Sequence, residues 1–156
     1  MKPIVTLTLN PAIDSFCVAD EVVPVRKVRT RDEHYQPGGG GVNVARVIAE
    51  LGGETVALYM AGGLTGQAYE GMVEALGIAA VRVPIQETTR VSHVVLELST
   101  GQEYRFTPEG PEVTEAEWQH CLEVLKIVDA DYLVASGSLA RGMPPDFYAR
   151  VAKLVR

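Results

Sequence analysis

Four consecutive glycines, Gly38, Gly39, Gly40 and Gly41, stand immediately before a run with helical periodicity, Val42-Asn43-Val44-Ala45-Arg46. Val42, Ala45, Ile48 and Ala49 recur at the spacing of one helix face. Glycines that enter a helix let the backbone approach a ligand closely. The helix N-terminus then offers N–H groups and partial positive charge to an anion or a polar group. Asn43 falls in the first turn, within reach of the same ligand. No Gly-Lys-Ser/Thr follows, so this is not the mononucleotide phosphate loop. The contiguous glycines also differ from the spaced dinucleotide fingerprint. A flexible loop with a glycine cap is the plainer reading of the stretch alone.

Three further residues could join that site. Asp14 follows the first strand pattern and is expected in a turn beyond its carboxyl end, where open α/β sheets bind ligands. Its carboxylate could accept hydrogen bonds from a pair of hydroxyls. Arg90 opens a hairpin and could grip a phosphate through its planar fork; pairing with Glu87 is the structural alternative. Ser138 sits in a Ser136-Gly137-Ser138 turn after a strand. Lys27, Arg29 and Arg31 alternate along a short β-type piece, which predicts one cationic face. Such cations suit a phosphate, and they are also common on exposed edges. Together these groups suit a phosphorylated polyol better than a flat apolar ligand.

The elements that must position them follow an α/β rhythm. Strands are predicted at 4–9, 55–61, 80–84 and 131–135, and helices at 41–51, 65–76, 114–126 and 145–155. Thr65 is a possible N-cap and Thr114 with Glu117 a capping box. This pattern predicts a parallel sheet covered by helices. The rhythm breaks twice, at 14–35 and at 88–108. The second break reads as a hairpin turning at Thr100-Gly101, with Val94, Leu96 and Leu98 on one apolar face. That face needs a partner, and pieces near 14–19 and 28–35 would give a small separate sheet.

With 156 residues, 47% hydrophobic and 22% charged, the composition is that of one ordinary globular domain. A net charge of −6 argues against a nucleic-acid partner. No apolar run reaches the ~20 residues that span a bilayer, so no membrane partner is expected. Met1 to Leu9 reads as a strand, without a signal-peptide pattern. Cys17 and Cys121 offer neither metal spacing nor a disulfide framework. A reducing, cytoplasmic compartment is expected.

Asn10-Pro11-Ala12-Ile13-Asp14, Pro37 to Arg46, Gly62-Gly63-Leu64-Thr65-Gly66 and Ser136-Gly137-Ser138-Leu139 resemble the ribokinase-like (PfkB) carbohydrate kinases. Thr89-Arg90 and Tyr104-Arg105-Phe106 resemble its sugar-phosphate kinases, most nearly the PfkB-type 6-phosphofructokinases. The 1-phosphofructokinases and tagatose-6-phosphate kinases are near relatives. The resemblance runs from residue 3 to about residue 145. It implies a ribokinase-like doubly wound parallel sheet carrying a β-lid made from 14–35 and 88–108. It implies ATP and Mg²⁺ as cofactors and fructose 6-phosphate as acceptor in glycolysis. By resemblance, Asp14 binds sugar hydroxyls, and Gly38 to Gly41 with Asn43 line the sugar site. Arg90 and Ser138 hold the sugar phosphate, and Lys27 reaches the nucleotide region. The lid closes the site and pairs two subunits as a homodimer.

Two elements of that family are missing from these 156 residues. They are the Gly-Ala-Gly-Asp turn that bears the general base and the Asn-x-x-Glu element tied to magnesium. The resemblance puts both beyond Arg156, so the chain reads as an N-terminal half, inactive alone. Ala140-Arg141, where relatives often carry prolines, adds a cation near the sugar site. Two other readings compete: a non-catalytic sugar-phosphate-binding or dimerisation module, and a structural α/β domain whose glycines only make turns. The last leaves the joint placement of Asp14, Asn43 and Arg90 unexplained.

Overall fold

The computed structural model describes residues 2–154. In chain order the elements are β1 (Ile4–Thr8), β2 (Ala12–Ala19), β3 (Thr30–Gly38), α1 (Gly40–Glu50), β4 (Thr55–Gly62) and α2 (Gly63–Ala75). They continue with β5 (Ala79–Ile85), β6 (Arg90–Glu97), β7 (Glu103–Phe106), α3 (Glu115–Ile127), β8 (Tyr132–Ala135) and α4 (Phe147–Leu154).

Two four-stranded sheets result, ordered β5-β4-β1-β8 and β3-β2-β6-β7. The first is parallel throughout. Its strands alternate between two cores, as period-two side chains must. Val5, Leu7, Leu9, Leu58, Met60 and Val83 point into a cluster closed by Trp118, Cys121 and Leu125 of α3 and by Phe147 and Val151 of α4. Ala57, Tyr59 and Ala61 point the other way, against Val42 and Ala45 of α1 and Tyr69 and Val73 of α2. Helices on both faces make the doubly wound α/β arrangement that the rhythm predicts. Thr114 and Glu117 form the expected capping box, with the Thr114 hydroxyl accepting from Glu117 N at 3.4 Å.

The second sheet forms from the two stretches that break the rhythm. The β6–β7 hairpin is antiparallel and turns through Gly101 at φ 72°. β2 pairs antiparallel with β3 and parallel with β6. The β2–β3 register shifts between Phe16 and Val18, where Asp32 takes φ 55°. This is a bulge, which bends and twists the strand.

Several boundaries differ from the sequence reading. Asp14 is the third residue of β2 rather than part of a turn. Only Leu9, Asn10 and Pro11 separate the two strands, so the chain passes directly from one sheet to the other. β3 starts at Thr30, which leaves Lys27 and Arg29 in an exposed loop. Only Arg31 lies on a strand, and it pairs with Asp20 at 2.7 Å, so the expected cationic face does not form. Thr65 does not cap α2: that helix begins two residues earlier, with Gly62 as N-cap. The Thr65 hydroxyl donates instead to Thr89 O at 2.6 Å. The last helix starts at Phe147, and Val155 of its predicted span lies outside the described residues.

Candidate sugar-phosphate site

Asp14 and Arg90 lie on neighbouring strands at the root of the second sheet. In the β2–β6 pair, Ala12 lies opposite Arg90 and Asp14 opposite Ser92. Alternation puts Asp14 and Arg90 on one face, two residues apart along the strands. Burial raises the Asp14 pKa from its ordinary value, and the Arg90 charge partly opposes that rise. Burial lowers the Arg90 pKa, and the Asp14 charge opposes that. Each group is thus partly desolvated and supported by the other.

Two backbone carbonyls aim the guanidinium. Arg90 Nη1 donates to Pro108 O at 2.8 Å and Nη2 to Asn10 O at 2.9 Å. Nε is buried without a partner. Of five N–H groups, Nε–H and one hydrogen on each Nη therefore have no protein partner. The expected alternative partner, Glu87, is engaged elsewhere. Its carboxylate accepts Glu112 N at 2.6 Å and lies 3.7 Å from Arg141 Nη2. Arg141 Nε donates to Gly110 O at 3.1 Å.

Asn10 ties the site together and escaped the sequence reading. Its Nδ2 donates to Glu109 O at 2.9 Å, Ser138 Oγ at 3.2 Å and Leu139 O at 3.4 Å. Its own carbonyl takes Arg90 Nη2. Arg90 and Ser138, 48 positions apart in sequence, thus bond the same buried asparagine. The available signals were an Asn-Pro pair after a strand, which reads as a turn breaker, and its place at the head of the Asn10–Asp14 stretch.

The glycine run fits the opposite wall. A Cβ on Gly38 would fall on the Asp14 carboxylate, with all three carboxylate atoms closer than 3.0 Å. A Cβ on Gly40 would meet Ser136, and one on Gly41 would meet the Leu7 carbonyl and the Thr8 hydroxyl, all inside 3.0 Å. Gly39 takes φ 124°, which side-chain-bearing residues rarely adopt. These glycines therefore bring the start of α1 against β1, Asp14 and Ser136. α1 has no side-chain N-cap from its own N-cap residue. The Thr8 hydroxyl accepts Val42 N at 2.9 Å and Gly39 O accepts Asn43 N at 2.9 Å. That capping leaves the Gly40 and Gly41 N–H groups, the first of the helix, without an intrahelical partner; Gly40 is half-buried and Gly41 buried. Asn43 and Ser138 are exposed beside them.

The backbone at Arg90 is fixed from behind. Thr89, 3% exposed, accepts Gly62 N at 3.1 Å through its hydroxyl. This bond and the one from Thr65 hold the start of β6 to the start of α2. Lys27 is not brought to the site within this chain. Its loop joins the far ends of β2 and β3, five residues beyond Asp14, or about 17 Å by strand rise. Cys17 and Cys121 are free and buried, and burial pushes the Cys121 thiol up to about 12.

The site thus offers a carboxylate for hydroxyls, a guanidinium fork with free hydrogens, and helix N–H groups. The pfkB family carbohydrate kinase pattern matches residues 7–156. The chain belongs to the pfkB family of carbohydrate kinases. It is 44% identical over 158 aligned positions to the ATP-dependent 6-phosphofructokinase isozyme 2 of Mycobacterium tuberculosis (strain ATCC 25618 / H37Rv). That alignment covers 99% of this chain and 47% of the relative. The isozyme 2 enzyme of Escherichia coli (strain K12) is 39% identical, over 92% of this chain and 47% of its own length. The crystal structure of the phosphofructokinase-2 from Escherichia coli in complex with fructose-6-phosphate superposes with TM-score 0.90 at 33% identity. It is matched over 98% of this chain and 51% of that one. The chain spans about half the length of the curated relatives it matches.

Proposed function

We propose that this chain supplies the acceptor half of a sugar-phosphate kinase that transfers a phosphoryl group from ATP to fructose 6-phosphate. The single observation that carries the reading is the Arg90 fork, aimed by two carbonyls, with its buried Nε unpaired, on the same face of the β2–β6 pair as Asp14. In this reading the sugar phosphate lies on Arg90, with Ser138 next to it. The hydroxyls lie on Asp14 and Asn43 and along the α1 N-terminus formed by Gly38 to Gly41. Phosphoryl transfer is catalysed by positioning and by stabilising charge. These residues do the first of those for the acceptor. The general base and most of the nucleotide site fall to the other half of a full-length kinase.

Mg²⁺ accompanies ATP in this reading. Among the described residues no group of three or more His, Cys, Asp or Glu could hold a metal ion. These residues therefore do not fit the ion by themselves. Lys27 reaches a nucleotide only from a different subunit or after a large loop movement.

Phe16, Val18, Val94 and Leu96 share one face of the second sheet and are only half-buried. We assign that sheet the role of a lid and that face to a homodimer contact, since apolar surface of this kind marks interaction sites. No described helix is long and apolar enough to cross a membrane. A cytoplasmic enzyme without nucleic-acid or membrane partners is the reading consistent with the acidic charge.

The test is a coupled assay on the full-length protein, with ATP and each of fructose 6-phosphate, fructose 1-phosphate and tagatose 6-phosphate. The highest kcat/KM with fructose 6-phosphate is expected. A preference for either other sugar phosphate would replace the acceptor, and no turnover with any would refute the kinase reading. The 156 residues produced alone are expected to show no turnover.

A further inference from the structure

Two glycine turns face each other across the site. One carries Gly38 to Gly40, the other Ser136 to Ser138. A Cβ on Gly137 would lie 3.7 Å from Gly40 N, so the turns are in near contact. Each is held from behind by a tyrosine on a helix. Tyr69 of α2 donates its hydroxyl to Gly38 O at 2.8 Å. Tyr148 of α4 donates its hydroxyl to Gly137 O at 2.8 Å.

The two contacts differ in exposure. Tyr69 is fully buried and meets the Tyr59 ring edge-on at 5.1 Å between centroids. Burial pushes its phenol pKa far above the ordinary value, so it stays a donor. Gly38 is buried too, so bulk water does not reach that carbonyl while the phenol is in place. The bond from Tyr148 is exposed, and so is Gly137. Water can replace it there.

We infer that Tyr69 is a positioning residue for the acceptor site, holding the glycine turn at the height that seats the Asp14 carboxylate, and that Tyr148 is a weaker counterpart for the Ser138 turn. The inference deepens the sugar-phosphate reading and rests on it. The mechanism is steric. The carboxylate of Asp14 lies where a Gly38 side chain would start, so the Gly38 peptide sets the floor beneath it. Without the phenol, the buried Gly38 carbonyl has lost this donor and must turn to find another. The same peptide unit carries the chain into Gly39 and the first N–H groups of α1. One lost hydrogen bond therefore disturbs both the carboxylate and the helix N-terminus. The ring and its packing survive in phenylalanine.

The test uses the full-length protein with Tyr69→Phe and Tyr148→Phe. Steady-state kinetics are measured with fructose 6-phosphate and ATP varied separately. Amide hydrogen exchange over residues 37–44 and melting temperature are measured without ligand. In Tyr69→Phe the fructose 6-phosphate KM should rise about tenfold, equivalent to about 1.4 kcal/mol. The ATP KM should stay unchanged, and exchange over 37–44 should quicken. Tyr148→Phe should raise the fructose 6-phosphate KM less than about threefold. An unchanged fructose 6-phosphate KM in Tyr69→Phe, whatever the melting temperature, overturns the inference. So does a parallel rise in both KM values, which marks general loosening. An effect of Tyr148→Phe as large as that of Tyr69→Phe overturns the ranking by burial. If the wild-type protein turns over no sugar phosphate, the kinase reading fails by itself. The exchange data then decide the positioning claim: faster exchange confined to 37–44 upholds it, and unchanged exchange refutes it.

Discussion

In the parallel sheet, Val5, Leu7, Leu58, Met60 and Val83 are fully buried, and helices cover both faces. In the second sheet, Phe16, Val18, Val94 and Leu96 are only half-buried, and Tyr35 and Phe106 are more than half exposed. The first sheet draws its stability from burial within the chain. The second holds together by ladders and by local devices such as Glu97, and it carries Asp14 and Arg90 at its root. A site built where a rigid body meets a less buried sheet can have fixed geometry on one wall and a movable cover on the other. That division agrees with the general placement of ligand-gripping elements at the less stable end of a structure.

Removing core from the rigid side should have the largest effect. Leu58→Ala should cost about 2–5 kcal/mol, the range for truncating a fully buried leucine. Chemical denaturation should show that loss, and light scattering should show an unchanged oligomeric state. A loss below ~1 kcal/mol would mean that the body is not the stabilising region.

At the boundary, Arg90→Ala should raise the fructose 6-phosphate KM roughly a hundredfold, equivalent to about 2.8 kcal/mol, the upper part of the range for an ionic hydrogen bond. Arg90→Lys should recover little, because an ammonium lacks the planar fork. The ATP KM should barely move, and the melting temperature should fall modestly because the Pro108 and Asn10 carbonyls lose their donor. An unchanged KM with a lowered melting temperature would show that Arg90 serves only to tie Pro108 to Asn10.

On the second sheet, Leu96→Asp should break association and spare the body. Light scattering at micromolar concentration should change from dimer to monomer. A wild-type monomer under the same conditions would remove the homodimer from the account.

The smallest effect is a pH response confined to the second sheet. The Thr100 hydroxyl and the Val22 N–H, at 2.7 Å, bond the Glu97 carboxylate and hold its pKa below the ordinary carboxylate value. A depressed folded-state pKa contributes stability that is present above the unfolded pKa. That contribution is lost as pH falls through the folded value. Acidification through and below the ordinary glutamate range should therefore quicken amide exchange around Val22 and Gly101 before it affects β1 or β4. Simultaneous loss in both sheets would contradict the division.

What could be read from sequence was local. The helix after Gly41, the Thr114–Glu117 capping box and the hairpin at Thr100-Gly101 each depend on a few adjacent residues. What could not be read depends on the meeting of distant segments. Asp14 looks like a turn residue until β2 is seen to start at Ala12, because Pro11 hides how short the passage between sheets is. Lys27, Arg29 and Arg31 alternate in sequence, yet a loop and the bulge at Asp32 remove their common face. Tyr69 and Tyr148 carry no motif: their partners are carbonyls, and any residue supplies a carbonyl. Asn10 heads the Asn10–Asp14 stretch, but its bonds to Glu109, Ser138 and Leu139 join segments far apart in sequence. For the same reason the packing use of the glycines does not show in the sequence. Gly40 and Gly41 are also required by Ser136, Leu7 and Thr8, which press against them.

The central claim is that Asp14 and Arg90 together grip a sugar phosphate. The most direct measurement is a crystal structure of the full-length protein with fructose 6-phosphate bound. The phosphate is expected on the free hydrogens of Arg90, with Nε now paired, Ser138 beside it, and sugar hydroxyls on the Asp14 carboxylate. A phosphate held by Arg141 or by the Arg26-Lys27-Arg29 loop of the same subunit, with Arg90 bonded only to Pro108 and Asn10, would contradict that claim.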